Sequence, residues 1–397
     1  MTGRRRKPDT QVTHLGRDAR RFEGAVNPPV YRVSTVLMDD LDSYEDPRRR
    51  YRRDVMTYGR YGTPTSRALE DAIAELDGGH GTVAVSSGLG AIAKTLLGLL
   101  QAGDHLLMVD TVYLPSRRFC DRHLARLGIE TTYYDPMAGA DIANLIRPNT
   151  RLVFLESPGS STFEVQDVPA IAAAAKAAGA VTVMDNTWAT PLYFRPIEHG
   201  VDVAIQSATK YIGGHADLMM GLITAVEALE PQVRRAVYEL GDVVGSEEAY
   251  LALRGLRTLS VRLARHQETA LHLARWLQER PEVDRVLHPA LPGHPGHELW
   301  RRDYDGASGL FGVVLAEPYP REAVKAMIEG MELFGIGSSW GGYESLMIAT
   351  YPKALRTATG WQAPGPALRI HAGLEDPDDL IADLEAGFRR LHRAAAG

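Results

Sequence analysis

Residues 82–110 read TVAVSSGLGAIAKTLLGLLQAGDHLLMVD, which is an apolar strand pattern, a helix pattern and a second apolar strand pattern in succession. The strands are predicted at residues 82–86 and 105–110, and the helix at residues 91–100. Both strand segments are apolar at successive positions, which is typical of parallel strands covered by helices on both faces. The segment therefore predicts a βαβ unit.

The alternation of strands and helices continues toward the C-terminus. Further strands are predicted at residues 151–156, 181–185, 201–206 and 310–315, and further helices at residues 117–127, 168–178, 246–278, 321–328 and 377–391. The long helix at residues 246–278 is typical of a segment that joins two domains. We therefore predict an α/β protein with a mostly parallel sheet. Its predicted divisions are an N-terminal arm at 1–62, a larger domain at 63–256 and a smaller C-terminal α/β domain at 257–397. The arm lacks sustained periodicity, so we do not expect it to form a core.

Composition excludes several classes of protein. The 397 residues are 45% hydrophobic and 24% charged, as expected for a soluble globular chain. The 44 Lys and Arg residues against 50 Asp and Glu give a net charge of -6, which argues against a nucleic-acid partner. A single cysteine rules out an intrachain disulfide and fits a reducing compartment. Neither a secretory signal nor an apolar run of about 18 residues is present, so we expect a cytoplasmic protein with no membrane partner.

Polar residues follow the predicted strands at the point where each strand ends. They are Ser86–Gly90, Asp110, Glu156–Pro158, Asp185–Thr187 and Ser207–Lys210. In open α/β sheets, ligands bind outside the carboxyl ends of the strands. The pattern therefore predicts a functional site at this edge of the sheet.

Lys210 is the most informative of these residues. Burial lowers the pKa of a lysine, and a neutral lysine amine is a nucleophile toward an aldehyde. Ser207 and Thr209 lie two residues apart and would present two hydroxyls to one anion. The alternative is a lysine whose amine simply extends to solvent.

Two readings of the other strand ends compete. Ser87, Gly88 and Leu89 lie between a strand and a helix, where backbone N–H groups bind an anion. Asp185 offers a carboxylate that could pair with a pyridine nitrogen, and Tyr113 offers an aromatic ring that could cover it. Together with Lys210 and the anion-binding turn, these groups indicate pyridoxal 5'-phosphate (PLP).

The competing reading is a dinucleotide fingerprint, which would make the protein an NAD-dependent dehydrogenase. Gly88-x-Gly90-x-x-Ala93 has the required spacing, and Asp110 follows about 20 residues later. That reading gives no role to Asp185 or Lys210.

Longer motifs resemble the Cys/Met-metabolism family of PLP-dependent enzymes. The lysine signature of the family is similar to two segments, Val183-Met-Asp-Asn-Thr-Trp188 and Gln206-Ser-Ala-Thr-Lys210-Tyr-Ile-Gly-Gly-His215. The family's arm motif is similar to Tyr58-Gly-Arg60-Tyr-Gly-Thr-Pro-Thr65. Leu368-Arg369-Ile-His-Ala-Gly-Leu-Glu-Asp376 is similar to its carboxylate-binding segment. The resemblance implies an aspartate-aminotransferase-like fold (PLP fold type I) with PLP bound to Lys210.

The resemblance also implies roles for individual residues. Lys210, Tyr113 and Tyr58 would be catalytic, with Tyr113 stacked on the cofactor ring. Tyr58 and Arg60 would reach the cofactor phosphate of a neighbouring subunit, which implies a homo-oligomer, a tetramer, with shared active sites. Residues beside the substrate would be Ser339, Trp340 and Arg369, with Arg369 holding its α-carboxylate through a bidentate fork.

Within the family, residues 156–160, 288–294 and 338–346 resemble the bacterial β-lyase members most. The implied reaction is α,β-elimination of cystathionine to homocysteine, pyruvate and ammonia, a step of methionine biosynthesis. The γ-lyases, γ-synthases and methionine γ-lyases of the family remain alternatives. Their reactions need a second proton removed, from Cβ of the substrate, and the same residues could remove it. Ser160 stands where many relatives carry asparagine. No metal is expected, because His294 and His297 fit loop histidines better than metal ligands.

Overall fold

The computed structural model describes residues 6–46, 48–49 and 52–396. Its α-helices are α1 Pro8–His14, α2 Leu41–Glu45, α3 Pro64–Asp77, α4 Gly88–Leu99, α5 Leu114–Phe119, α6 Val168–Ala177, α7 Thr190–Tyr193, α8 Glu230–Glu239, α9 Ser246–Leu256, α10 Leu259–Gln278, α11 His297–Asp303, α12 Arg321–Glu329 and α13 Pro377–Ala396. Its strands are β1 Gly81–Val85, β2 His105–Val109, β3 Glu130–Tyr134, β4 Thr150–Glu156, β5 Val181–Asp185, β6 Val203–Ser207, β7 Gly221–Ala225, β8 Val283–Leu287, β9 Leu310–Leu315, β10 Leu346–Thr350 and β11 Ala367–His371.

The larger sheet has the strand order β1-β7-β6-β5-β4-β2-β3. Strands β2 to β6 pair in parallel, whereas β7 is antiparallel to both of its neighbours, β1 and β6. All strands except β7 therefore point the same way, and their carboxyl ends meet at one edge. The predicted mostly parallel sheet is confirmed, although β3 and β7 were not predicted.

Burial explains why the strands of this sheet read as continuous apolar runs. All five residues of β1 and of β2 are buried, because helices such as α3 and α4 pack against the sheet. Such burial is the main source of folding free energy, at about 25 cal/mol per Å² of apolar surface. The side chains that remain polar are left at the strand ends.

A smaller antiparallel sheet follows, with the order β10-β11-β9-β8. Its apolar face packs on α10, α12 and α13 around a second buried cluster that includes Phe311, Met347 and Leu384. β9 occupies residues 310–315, as predicted. The domain boundaries at residues 63 and 257 stay a prediction.

The predicted single helix at residues 246–278 is wrong. Helix α9 ends at Leu256 and α10 begins at Leu259. The chain turns because it packs tightly against the segment that follows Lys210: a Cβ on Gly255 would lie 2.3 Å from the carbonyl oxygen of Ile212. Arg262 holds this turn by donating to the carbonyl oxygens of Tyr211 and Gly255, each at 2.7 Å.

The arm is more firmly attached than its sequence suggested. Val12 on α1 is fully buried in a cluster with residues of α3, α9 and α10. Its carbonyl oxygen accepts a hydrogen bond from Arg257 at 2.9 Å. A single short helix can bury one apolar residue without producing a sustained periodic pattern, which is why the sequence did not show this contact. Among the described residues, no helix is both long and apolar enough to cross a bilayer.

Candidate active site

A cavity of about 720 Å³ lies at the edge where the parallel strands end. Strand ends of the larger sheet form one side, and residues 338–340 with Arg369 on β11 approach from the smaller sheet. The predicted site residues that line it are Ser87, Gly88, Leu89, Tyr113, Asp185, Ser207, Thr209, Lys210, Ser339, Trp340 and Arg369. The fold thus brings together side chains that are far apart in sequence.

Lys210 lies three residues beyond the end of β6. Its Nζ donates to Ser339 Oγ at 2.7 Å and lies 5.4 Å from the centre of the Trp340 ring. Burial, followed by the charge of Arg369, lowers the pKa of Lys210 to about 8, and the charge of Asp185 opposes this change. A substantial fraction of the amine is therefore neutral near physiological pH and able to attack an aldehyde.

Asp185 ends β5 and reaches the same cavity. Its Oδ1 accepts from the backbone N–H of Thr187 at 3.0 Å and from the Thr187 hydroxyl at 2.5 Å. Burial raises the pKa of Asp185, while the bonds from Thr187 and the charge of Lys210 act in the opposite direction. A cation placed beside this carboxyl would favour its ionised form.

The turn before α4 forms an anion cradle. Ser87 caps the helix by accepting from the backbone N–H of Gly90 at 3.0 Å. The other N–H groups of the first turn of α4 have no acceptor within the helix and are available to an anion. Gly88 is required by space, because a Cβ there would lie 2.6 Å from Ser207 Oγ. The Thr209 hydroxyl donates to the carbonyl oxygen of Met220 at 3.2 Å and accepts from the Met220 N–H at 3.0 Å.

Arg369 presents its guanidinium from the smaller sheet. Its Nη2 donates to the backbone carbonyl oxygens of Gly337, Ser338 and Ser339 at 3.4, 3.2 and 3.3 Å. These are long, weak hydrogen bonds, so the guanidinium keeps donors for a stronger acceptor. A carboxylate in the cavity is such an acceptor.

Glu156 is a residue to which the sequence gave no role. It ends β4 directly beside Asp185, its partner in the β4–β5 register. Its Oε2 accepts from the Tyr113 N–H at 2.8 Å, and its Oε1 from Ser160 Oγ at 2.5 Å. Burial, followed by the charge of Asp185, raises the pKa of Glu156 to about 8. The motif Glu156-Ser-Pro marked the position, but only the fold shows that Glu156 holds Tyr113 and Ser160.

Two predicted residues do not reach this cavity within one chain. Tyr58 and Arg60 line a separate cavity of about 360 Å³ in the arm. Arg60 donates to the Tyr61 hydroxyl at 2.8 Å and to the backbone carbonyl oxygen of Tyr238. Tyr58 is 44% exposed. The prediction that these two residues act on a neighbouring subunit stays a prediction.

Comparison with known proteins decides the family. The sequence profile described as "Cys/Met metabolism PLP-dependent enzyme" matches residues 9–389. The chain belongs to this family of PLP-dependent enzymes.

Several family members are similar over the whole chain. A cystathionine beta-lyase of Escherichia coli is 44% identical over 97% of this chain and 99% of its own length. An L-alanine/L-glutamate racemase of Wolbachia pipientis is 41% identical over 97% and 98%. The crystal structure of cystathionine gamma synthase from Xanthomonas oryzae superposes with a TM-score of 0.89 at 32% identity, covering 98% of this chain and all of the other. The predicted PLP fold type I architecture is confirmed.

This member of the Cys/Met-metabolism family is not a dinucleotide-binding dehydrogenase, and Asp110 shows why that alternative was wrong. A dinucleotide-binding carboxylate must be free to accept from a ribose hydroxyl. Both carboxylate oxygens of Asp110 are instead occupied by donors from residues 357–359 and by Arg117.

The residues of the cavity fit PLP. The cofactor carries an aldehyde, a basic ring nitrogen and a phosphate, and the cavity offers a partly neutral amine, a buried carboxyl and a helix N-terminus. Gly88 packs closely against Ser207, the last residue of β6, so the anion cradle lies near the strand that precedes Lys210. Among the described residues, no cluster of His, Cys, Asp or Glu could hold a metal ion.

Proposed function

We propose that this enzyme is a carbon–sulfur lyase that cleaves cystathionine by α,β-elimination, with water consumed and homocysteine, pyruvate and ammonia released. The observation that carries the proposal is the Lys210 amine, whose pKa is lowered to about 8, in one cavity with Asp185 and Arg369. The named activity of the Escherichia coli relative supports the choice of substrate.

Each group of the cavity has a role in binding. Lys210 would bind the aldehyde carbon of PLP, and Asp185 would pair with its ring nitrogen. The phosphate would be held by the cradle at residues 87–89, together with Ser207 and Thr209. Tyr113 would cover the ring, and Glu156 would fix Tyr113 through the backbone N–H. Arg369 would hold the α-carboxylate of the substrate beside Ser339 and Trp340, which places Cα near Lys210.

Proton transfer is the second task of the chain. PLP, when bound, supplies a ring that withdraws electrons from Cα of the substrate. The neutral Lys210 amine then takes the Cα proton as a general base, with Ser339 Oγ holding the amine in place. Burial, followed by the charges of Glu156 and Asp185, raises the pKa of Tyr113. Tyr113 therefore keeps its proton at neutral pH and can donate it to the departing sulfur.

Product analysis tests the proposal. Purified enzyme loaded with PLP and incubated with cystathionine should form pyruvate and homocysteine in equal amounts. Formation of 2-oxobutyrate and cysteine would instead assign γ-elimination, for which Lys210 would remove a second proton from Cβ.

Racemisation of small amino acids is a second candidate, favoured by the racemase relative at 41% identity. Racemisation shares the removal of the Cα proton by Lys210 but returns a proton to the opposite face. Chiral chromatography after incubation with L-alanine in deuterated water separates the two activities, because only a racemase accumulates D-alanine labelled at Cα.

The assembly is part of the same proposal. We infer a cytoplasmic homotetramer in which Tyr58 and Arg60 complete the active site of a neighbouring subunit. The arm supports this inference, because Leu37 is 90% and Tyr44 73% exposed in the isolated chain. Sedimentation should give about four times the mass of one chain, and a monomer with full activity would contradict it.

A further inference from the structure

One wall of the cavity is formed by the last residues of β10 and the loop that follows this strand. This wall, which we call the 349–356 wall, comprises Ala349, Thr350, Tyr351, Pro352, Leu355 and Arg356. It begins at the end of β10, where Ile348 pairs with Arg369 on β11. A substrate whose α-carboxylate is held by Arg369 would therefore have this wall as a neighbour.

Asp110 binds the residues that directly follow the wall. The side chain of Asp110 is fully buried at the end of β2. Its carboxylate accepts from the backbone N–H groups of Thr357, Ala358 and Thr359 at 3.0, 3.1 and 3.0 Å, and from the Thr359 hydroxyl at 3.0 Å. These residues directly follow Arg356, so the bonds join the end of the wall to the larger sheet.

Arg117 completes this connection. It pairs with the Asp110 carboxylate and also donates to the Thr357 hydroxyl at 3.1 Å. Burial by itself raises the pKa of Asp110, but the bonds from Thr357, Thr359 and Arg117 outweigh it and hold the pKa below its usual value. The carboxylate is thus ionised and able to accept all of these bonds.

Beyond β10, few other contacts order this segment. Thr357 and Ala358 are exposed, and residues 351–356 contain only a single 3-10 turn at Pro352–Ala354. Arg356 adds a second attachment, donating to Thr162 at 2.6 Å and pairing with Glu164. Loops with few buried contacts open at low free-energy cost unless such bonds restrain them.

We propose that Asp110 is a positioning residue that fixes the 349–356 wall and so sets the space for the part of the substrate that leaves with sulfur. This proposal rests on the proposed function. A bulky leaving group such as homocysteine depends on the wall, whereas a small leaving group does not reach it. Asp110 therefore controls selectivity between long and short substrates.

The test compares two substrates in Asp110→Asn. Cystathionine has a long leaving group, and β-chloro-L-alanine undergoes the same elimination to pyruvate with chloride leaving. The amide nitrogen of asparagine cannot accept from the backbone N–H groups, so the wall should loosen. We expect the ratio of kcat/KM for cystathionine to that for β-chloro-L-alanine to fall about tenfold, chiefly through a higher KM for cystathionine.

The chain offers a matched control in Asp383→Asn. Asp383 is also buried and accepts from three successive N–H groups, those of Glu332, Leu333 and Phe334, at 3.1, 2.8 and 3.3 Å. It lies by the smaller sheet and lines no part of the cavity. This variant should lose stability but keep the ratio of the two substrates.

Two further measurements keep the proposal falsifiable. Hydrogen exchange should show faster exchange at the amides of residues 357–359 in Asp110→Asn, whatever substrate the enzyme uses. If Asp110→Asn does not fold, the double variant Thr357→Ala and Thr359→Ala retains the carboxylate and should lower the ratio by a smaller factor.

An unchanged ratio in every folded variant, or an equal fall in Asp383→Asn, would overturn the proposal. A wild-type enzyme that acts on β-chloro-L-alanine but not on cystathionine would instead overturn the proposed function. Exchange at residues 357–359 would still decide whether Asp110 holds the wall.

Discussion

At the scale of single residues, the chemistry depends on how burial and two charges act on the Lys210 amine. Burial, followed by the charge of Arg369, lowers its pKa to about 8, while the charge of Asp185 acts to raise it. The sequence predicted this direction, because a lysine directly after a buried strand loses hydration. It could not predict that Ser339, 129 residues away, would hold the amine.

This balance predicts a pH profile for capture of PLP by the apo-protein. Since the neutral amine is the reactive form, the rate should rise about tenfold per pH unit up to pH 8 and then level off. Arg369→Gln removes a charge that lowers the pKa, so the plateau should begin at higher pH. Asp185→Asn removes a charge that raises the pKa, so its plateau should begin at lower pH.

Stopped-flow absorbance of the protein-bound cofactor measures these rates. Lys176→Ala, which removes an exposed lysine on α6, is the control and should leave the profile unchanged. Shifts in the same direction for Arg369→Gln and Asp185→Asn would contradict the assigned charges.

At the scale of elements, the turn between β1 and α4 depends on close packing. A Cβ on Gly88 would lie 2.6 Å from Ser207 Oγ and 2.7 Å from Ser207 Cβ, which is closer than real contacts allow. Gly88→Ala should therefore displace the start of α4 from β6 and move the free N–H groups away from the phosphate. We expect the dissociation constant for PLP to rise about tenfold or more.

Equilibrium dialysis of the apo-protein with PLP measures this change. Gly293→Ala is the matched control, because a Cβ there would meet no atom within 4 Å. Equal affinity for PLP in the Gly88 and Gly293 variants would show that the turn does not form the cradle.

At the scale of the whole molecule, the proposed sharing of active sites between subunits predicts complementation between two inactive variants. Lys210→Ala lacks the amine and Arg60→Ala lacks the group expected to reach a neighbouring subunit. Mixed subunits should regain activity, up to about a quarter of the wild-type value for random pairing, because half of the pairs then contain one intact site.

The rate of pyruvate formation after unfolding and refolding the mixture measures this recovery. Lys210→Ala mixed with the double variant Lys210→Ala and Arg60→Ala should recover nothing. Equally low activity in both mixtures would contradict the proposal that Arg60 completes the active site of a neighbouring subunit.

The sequence by itself determined most strands of the larger sheet, β3 and β7 being the exceptions, as well as the edge at which the cavity lies and the residue types gathered there. These features are local: apolar periodicity reports burial, and polar residues after apolar runs mark strand ends. The strand at residues 181–185 and the strand at 310–315 have the predicted bounds. The predicted PLP-binding residues Ser87, Asp185 and Lys210 were chosen for the same reason, because each lies at or just after the end of a predicted strand.

Only the tertiary structure decided which distant groups meet. Asp110 fitted a dinucleotide fingerprint in sequence, yet its carboxylate accepts from residues about 250 positions later. The break between α9 and α10, the burial of Val12 and the contact of Lys210 with Ser339 likewise depend on packing between remote segments. A local pattern encodes how much of a residue is buried, whereas its hydrogen-bond partner depends on where the rest of the chain folds back.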